Sequence, residues 1–281
     1  MANTIKIVKK RSKNRFGKNK ADALKVQRLF WLTGHSVTLV CGLLFGVTYF
    51  FHVLLFFKYR SWKWLFLRVN ENYSVIKGHR WYHSILRSTP QLLYRMSLIG
   101  VFSASGVTMY QNWGGLRPTW FDLLSSANFQ ATIIAVLWFL GGGKSIYRLL
   151  PFMILSFIHL KHYKTEFETE DRESVEKLSL ENKELLHLIA YSEVFIAVTL
   201  LLDTLLMKNG ETGFMFVIYA GFYWIRLNFS LYTQATVIRL LNKFEKKVPP
   251  KYYKQWNVVK KFLIGKVKNR KDNIEKATKN A

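Results

Sequence analysis

An all-α integral membrane protein is the fold class this sequence predicts: helical hairpins with about four to six membrane-embedded helices, then amphipathic helices lying at the interface. Three features lead to it. Residues 185–232 read LLHLIAYSEVFIAVTLLLDTLLM, KNGETG, FMFVIYAGFYWIRLNFSLY, two apolar runs joined by six polar residues. At ~1.5 Å per residue each run crosses, or nearly crosses, a ~30 Å hydrocarbon core. The 281-residue chain is 50% hydrophobic and 16% aromatic yet carries a net charge of +25, a combination unlike one soluble globule. That charge is also segregated: residues 1–28 hold ten Lys or Arg against one Asp, and residues 239–281 hold fourteen against three acids. Basic tails favour the cytosolic side of a membrane, so both termini are expected there, with an even number of crossings.

Taken in order, residues 1–28 form a basic, disordered cytosolic arm. Residues 29–164 follow as N-terminal membrane-embedded helices. Their first run, Leu29 to Phe57, is too long for a cleavable signal and reads as an uncleaved anchor inserted into the endoplasmic reticulum. Cys41, the one cysteine, is a buried thiol in this reading and excludes an intrachain disulfide. From Lys58 to Arg95 aromatics (Trp62, Trp64, Trp81, Tyr82) alternate with cations, the mixture found at headgroup level. Seven cations between Lys58 and Arg87 conflict with a luminal position, so the first run is open to a bent or re-entrant form. Whether residues 58–90 are luminal is tested by glycosylation of the sequon Asn72-Tyr73-Ser74.

Residues 91–110 make a weaker span with small residues Ser103, Ala104, Ser105 and Gly106 suited to close helix contact. Trp120 to Leu140 makes a stronger one, with Asp122 and Trp138 near its edges, ended by three glycines. Tyr147 to Leu160 is 14 residues, either a half-depth wedge or the second arm of another hairpin. Residues 165–184 are an acidic linker helix, eight acids against three bases, with Ser179 a candidate N-cap.

The hairpin at 185–232 carries Glu193 and Asp203 in its first arm and Arg226 in its second. Glu193 lies 15 residues before Lys208 and Arg226 lies 13 after Gly213, so antiparallel arms bring the two to similar depth. Intramembrane charges are costly and often functional, which leaves two readings: a structural Glu193–Arg226 pair, or a small transporter or channel using Glu193, Asp203 and Arg226. Residues 233–268 are basic amphipathic helices. Val237, Leu240, Leu241 and Phe244 recur at helical spacing. After Pro249-Pro250, Tyr252, Trp256, Val259, Leu263 and Val267 share one arc, with Lys254, Lys261 and Lys268 opposite and Lys260 and Lys266 at the borders. Such a helix suits the surface of an anionic membrane, or a partner protein. Residues 269–281 read as a disordered tail.

Chemistry is sparse. His79 and His83 (i, i+4) and His159 and His162 (i, i+3) have the spacing of metal ligands, but His35, His52 and His187 are isolated and no adjacent His-His occurs. Too few organised ligands result for a di-iron centre, and the GGGK at 141–144 lacks phosphate-loop spacing. The sequence is therefore read as non-enzymatic, with no cofactor or metal and no direct nucleic-acid binding.

One resemblance draws these features together. The basic arm, the aromatic first anchor, RLLPFMILSFIH, ENKELLHLIAYSEVF, YAGFYWIRLNFS with YTQ after it, and the amphipathic basic tail resemble the transmembrane protein 33 family. That family includes fungal pore-membrane nucleoporins and endoplasmic-reticulum shaping proteins. The likeness covers roughly residues 25–265 and is most specific from Leu149 to Thr233. It implies that Glu193 and Arg226 sit on the family's hairpin pattern and that the 252–267 helix corresponds to a tail that binds curved membrane. It also implies residence in the endoplasmic reticulum and nuclear envelope, with nuclear pore components, reticulon-type membrane proteins and an importin-type receptor as partners.

Overall fold

Long apolar runs free of helix breakers give long helices, and side chains small enough for close approach decide where those helices meet. The computed structural model describes residues 18–59, 80–114, 116–141, 144–163, 181–206, 210–245, 248–258, 260–262 and 264–265. Among them the regular elements are all helical: α1 (Lys18–Tyr59), α2 (Trp81–Trp113), α3 (Trp120–Ser125), α4 (Ala127–Leu140), α5 (Ile146–Lys161), α6 (Lys183–Leu205), α7 (Gly210–Phe229) and α8 (Leu231–Glu245). A 3₁₀ turn at Pro250–Tyr252 leads into a helical tail. The protein is thus all-α and membrane-embedded. Segments Leu24–Phe51, Ser88–Trp113 and Lys183–Leu205 are long and apolar enough to cross a membrane, and α7 with α8 makes a fourth if that bent pair counts as one span.

α1 and α2 form an antiparallel pair whose closest approach is set by glycine. A Cβ on Gly100 would come within 2.5 Å of the Gly34 carbonyl oxygen, and one on Gly34 within 2.8 Å of the Ala104 nitrogen. At that seam the Thr38 hydroxyl donates to the Ser97 carbonyl at 3.2 Å and the Ser97 hydroxyl donates to the Thr38 carbonyl at 2.9 Å. Small residues give helices this proximity in lipid, where packing and hydrogen bonds replace the hydrophobic drive between helices. α5 lies on the other side of α1, where Gly42 and Gly46 make room for Met153 and Ile146. Round the bundle the order is α1, α2, α4, α7, α6, α5 and back to α1. The middle is filled by Phe45, Tyr94, Leu98, Trp138, Leu149, Phe152, Ile196, Leu200 and Tyr219, all nearly or fully buried.

Several sequence expectations are revised. The helix begins at Lys18, so residues 18–28, assigned to the arm, already belong to α1. α1 then continues without a break for 42 residues, about 63 Å, which replaces the bent or re-entrant form. The apolar stretch 120–140 is two helices, not one span. Thr119 and Asp122 form a reciprocal capping box that starts α3, and Ser126 adopts an extended backbone (φ −72°, ψ 123°) that stops it. The Gln130 amide then donates 2.6 Å back to the Leu124 carbonyl, holding the step. Trp138 lies near the end of the stretch, as expected, and is fully enclosed there, whereas Cys41, expected buried, is only partly covered.

α5 takes α1 and α6 as its main neighbours, in place of a hairpin with α4. Ser179 and the sequon at 72–74 lie outside the described residues. We call the end of the bundle that holds the start of α1 the near end. Gln27 meets Gln111, His35 meets Ser156 and His162 meets Asn182 there, so α2 and α5 finish and α6 begins at that same end.

Candidate functional site

Two constructions stand out: a charge cluster between α6, α7 and α4, and the seat of the basic tail at the near end. Glu193 is the eleventh residue of the 23-residue α6, close to mid-span. Its carboxylate meets the Arg226 guanidinium of α7 in a short salt bridge, and Arg226 Nε donates 3.3 Å to Gln130 Oε1 of α4. The Tyr219 hydroxyl donates 3.1 Å to the Glu193 backbone carbonyl. Tyr219 in turn lies 5.6 Å from the Trp138 ring, whose other contact is Arg148, with its guanidinium carbon 4.6 Å from the ring centroid. One guanidinium therefore joins three helices, and the acid it pairs with is 4% exposed at its side chain. Chemically this is a mutually neutralised cluster. Asp203, grouped with these two in the transport reading, sits ten residues further along α6, about 15 Å away, and is not part of it.

The near-end seat begins where α7 stops. The bend between α7 and α8 is 101°, and the chain turns at Ser230, two residues before the end of the apolar run. Gln234 holds the elbow: its amide donates 2.8 Å to the Leu227 carbonyl and 3.4 Å to that of Asn228, covering acceptors a helix end leaves unpaired. Thr236 Oγ1 lies 3.1 Å from His187 Nδ1 on α6, and the Tyr232 ring stands edge-on to the same imidazole at 5.5 Å. Thr233, Gln234 and Thr236 are consequently the buried residues among the described side chains of α8. The periodic apolar set does not form the buried face: Val237, Leu240 and Leu241 are partly covered and Phe244 is half exposed. Polar anchoring to α6 and α7 fixes the rotation of α8 and turns that apolar stripe outward.

The tail returns to this elbow. Lys260 Nζ pairs with Glu245 Oε2 at 2.5 Å, the Tyr253 hydroxyl reaches Glu245 Oε1 at 3.5 Å, and the Phe262 ring stacks on Trp224 of α7 at 6.2 Å. Trp256 is half-buried with its indole nitrogen enclosed, while Tyr252, Lys254 and Lys261 are exposed. Val259, Leu263, Lys266, Val267 and Lys268 lie outside the described residues. Sequence reading missed Glu245, Trp224 and Phe262, which seat the tail. Phe262 falls off the arc defined by Tyr252 and Trp256, and the available signal was one acid, Glu245, in a strongly basic stretch.

His35 and His159 pack together, while His162 and His83 make separate contacts. His35 Nδ1 lies 3.0 Å from Ser156 Oγ, with its ring 4.7 Å from that of His159 and 4.5 Å from Trp31. His162 Nε2 lies 2.9 Å from the Asn182 amide, and His83 packs against Tyr82. Among the described residues no group of three or more His, Cys, Asp or Glu is placed to hold a metal ion. Near the same end Lys161 pairs with Glu181 at 3.0 Å, and that hydrogen bond and charge hold the Glu181 carboxyl below its ordinary range.

Comparison with known proteins agrees with the membrane fold. The chain is 53% identical over 281 residues, all of both chains, to YGR026W of Saccharomyces cerevisiae (strain ATCC 204508 / S288c), described as an uncharacterized membrane protein. The chain belongs to that family. It is accordingly a membrane protein by descent as well as by its apolar helices. No protein-family model matches the sequence, and no solved structure matches it.

Proposed function

We propose that this chain is a non-enzymatic protein of the endoplasmic reticulum and nuclear envelope, with both termini cytosolic, that shapes or stabilises curved membrane and supports nuclear pore complex assembly or distribution. The reading follows the resemblance to the transmembrane protein 33 family. It leans on one structural observation: a basic, aromatic tail is tied to the near end of the bundle through Glu245 and Trp224, at the level where an apolar helix leaves the membrane. A helix seated there enters one leaflet beside α7. Insertion on one side of a bilayer expands that leaflet and favours curvature, and cations nearby strengthen attachment to anionic lipid.

In this mechanism α4 and α5, of 14 and 16 residues, act as short wedges of about 21 and 24 Å. The partly exposed apolar stripe of α8 adds to the tail, and the Glu193–Arg226 pair braces the hairpin that positions both. Nuclear pore components, reticulon-type proteins and an importin-type receptor are the protein partners in this proposal. Imaging full-length tagged protein tests the cellular half of the reading: a punctate nuclear rim is expected, and exclusion from the nuclear envelope would overturn it.

A further inference from the structure

We propose that the near end of the bundle holds the phosphate of a single anionic lipid between Lys183 of α6 and Arg239 of α8, at a site separate from the tail.

The elbow geometry creates the site. Thr236 of α8 is fixed on His187 of α6 at 3.1 Å. Arg239 lies three residues beyond Thr236 and Lys183 four residues before His187, so each stands one helical turn from that contact on its own helix. Both charges act on the His187 imidazole, and both side chains are exposed. Two cations on different helices are therefore held around one point by a buried contact.

Position identifies the ligand. Lys183 is the first residue of the apolar segment Lys183–Leu205, which puts the pair at the hydrocarbon boundary, where lipid phosphates lie. Below it on α6, Leu188, Tyr191 and Phe195 are exposed at helical spacing and offer a track for an acyl chain. A soluble phosphate would use the cations but not this track. Two acids adjoin the site. Glu181 is engaged by Lys161 at 3.0 Å, while Glu184 is exposed and shares the face of Leu188, so its charge opposes the phosphate. That opposition supplies a test with a gain of binding.

The experiment is native mass spectrometry of the full-length protein in detergent, titrated with phosphatidylserine, phosphatidylinositol or phosphatidylcholine. One anionic lipid is expected to remain bound in preference to phosphatidylcholine. With about 1 kcal/mol per cation near the surface, each lost cation weakens binding about fivefold, and Lys183→Gln with Arg239→Gln about 30-fold. Arg239→Lys should retain most of the affinity, Glu184→Gln should strengthen it about fivefold, and Lys251→Gln in the tail should change nothing. If the double variant does not fold, the gain in Glu184→Gln still decides the matter. Equal retention of phosphatidylcholine, an equal loss in Lys251→Gln, or no gain in Glu184→Gln would overturn the site. Complete displacement of the lipid by inorganic phosphate would assign it to a soluble anion instead. Failure of the tail to sense curvature would leave this result untouched.

Discussion

Replacing Glu193 by Gln separates bracing from transport. The carboxylate is 4% exposed and the Arg226 side chain 20%, so the substitution leaves a largely buried guanidinium faced by neutral amides alone, with no opposite charge in the cluster. Removing one partner of a buried ion pair costs about 3–5 kcal/mol, because the remaining charge is still desolvated. At roughly 2–4 °C per kcal/mol for a chain of about this size, the lower bound corresponds to a fall in Tm of about 6–12 °C. The double variant Glu193→Met, Arg226→Met removes both charges and keeps the volume, and such replacements are often neutral or stabilising, so its Tm should lie within about 3 °C of the parent. Thermal unfolding of the parent, Glu193→Met, Arg226→Met and the double variant in one detergent closes the cycle and isolates the coupling. Bracing is refuted if Glu193→Gln keeps its Tm, or if the double variant falls by the sum of the singles. An intact Tm together with lost ion flux in proteoliposomes would point to transport.

Three further outcomes follow from other contacts. Gly100→Ala should destabilise the α1–α2 seam by about 1–3 kcal/mol, because its Cβ meets backbone and Thr38 at 2.5–2.7 Å. Gly106→Ala on the same helix, with nothing within 4 Å, should be neutral or slightly stabilising, and thermal unfolding compares the two. Glu245→Gln removes the negative charge that pairs with Lys260 and should raise protease cleavage or hydrogen exchange in the tail without moving the bundle's Tm. At α3, the Thr119 hydroxyl and then its backbone N–H hold the Asp122 carboxyl below its usual range. The cap is therefore fully formed above the ordinary carboxylate pKa and is lost as pH falls through the lowered one, which NMR titration of the Asp122 carboxyl should show.

The main hairpin is legible in the sequence because length and apolarity alone set α6 and α7, and counting outward from a short loop gives depth on both arms. The Glu193–Arg226 contact is reachable by that count. The break at Ser126 is marked only by Ser125, Ser126, Asn128 and Gln130 inside an otherwise apolar run, and it rests on the Thr119–Asp122 cap and on the Gln130 amide reaching back to the Leu124 carbonyl, which hydropathy does not register. The rotation of α8 is hidden for a related reason. Periodicity locates an apolar stripe but does not say whether protein or lipid covers it, and here Gln234 and Thr236 outweigh the stripe through partners on α7 and α6. Phe262 escapes periodic reading because its contact, Trp224, belongs to another helix.

In the function we propose, the seated tail couples this membrane protein to curvature. The most direct test of that coupling is sorting of the full-length, fluorescently labelled protein between a giant anionic vesicle and a thin tether pulled from it. Enrichment in the tether is expected for the parent protein, and loss of that enrichment when Trp256→Ser, Phe262→Ser and Lys260→Gln are combined. Equal density in tether and vesicle for the parent, or undiminished enrichment in the triple variant, would contradict it.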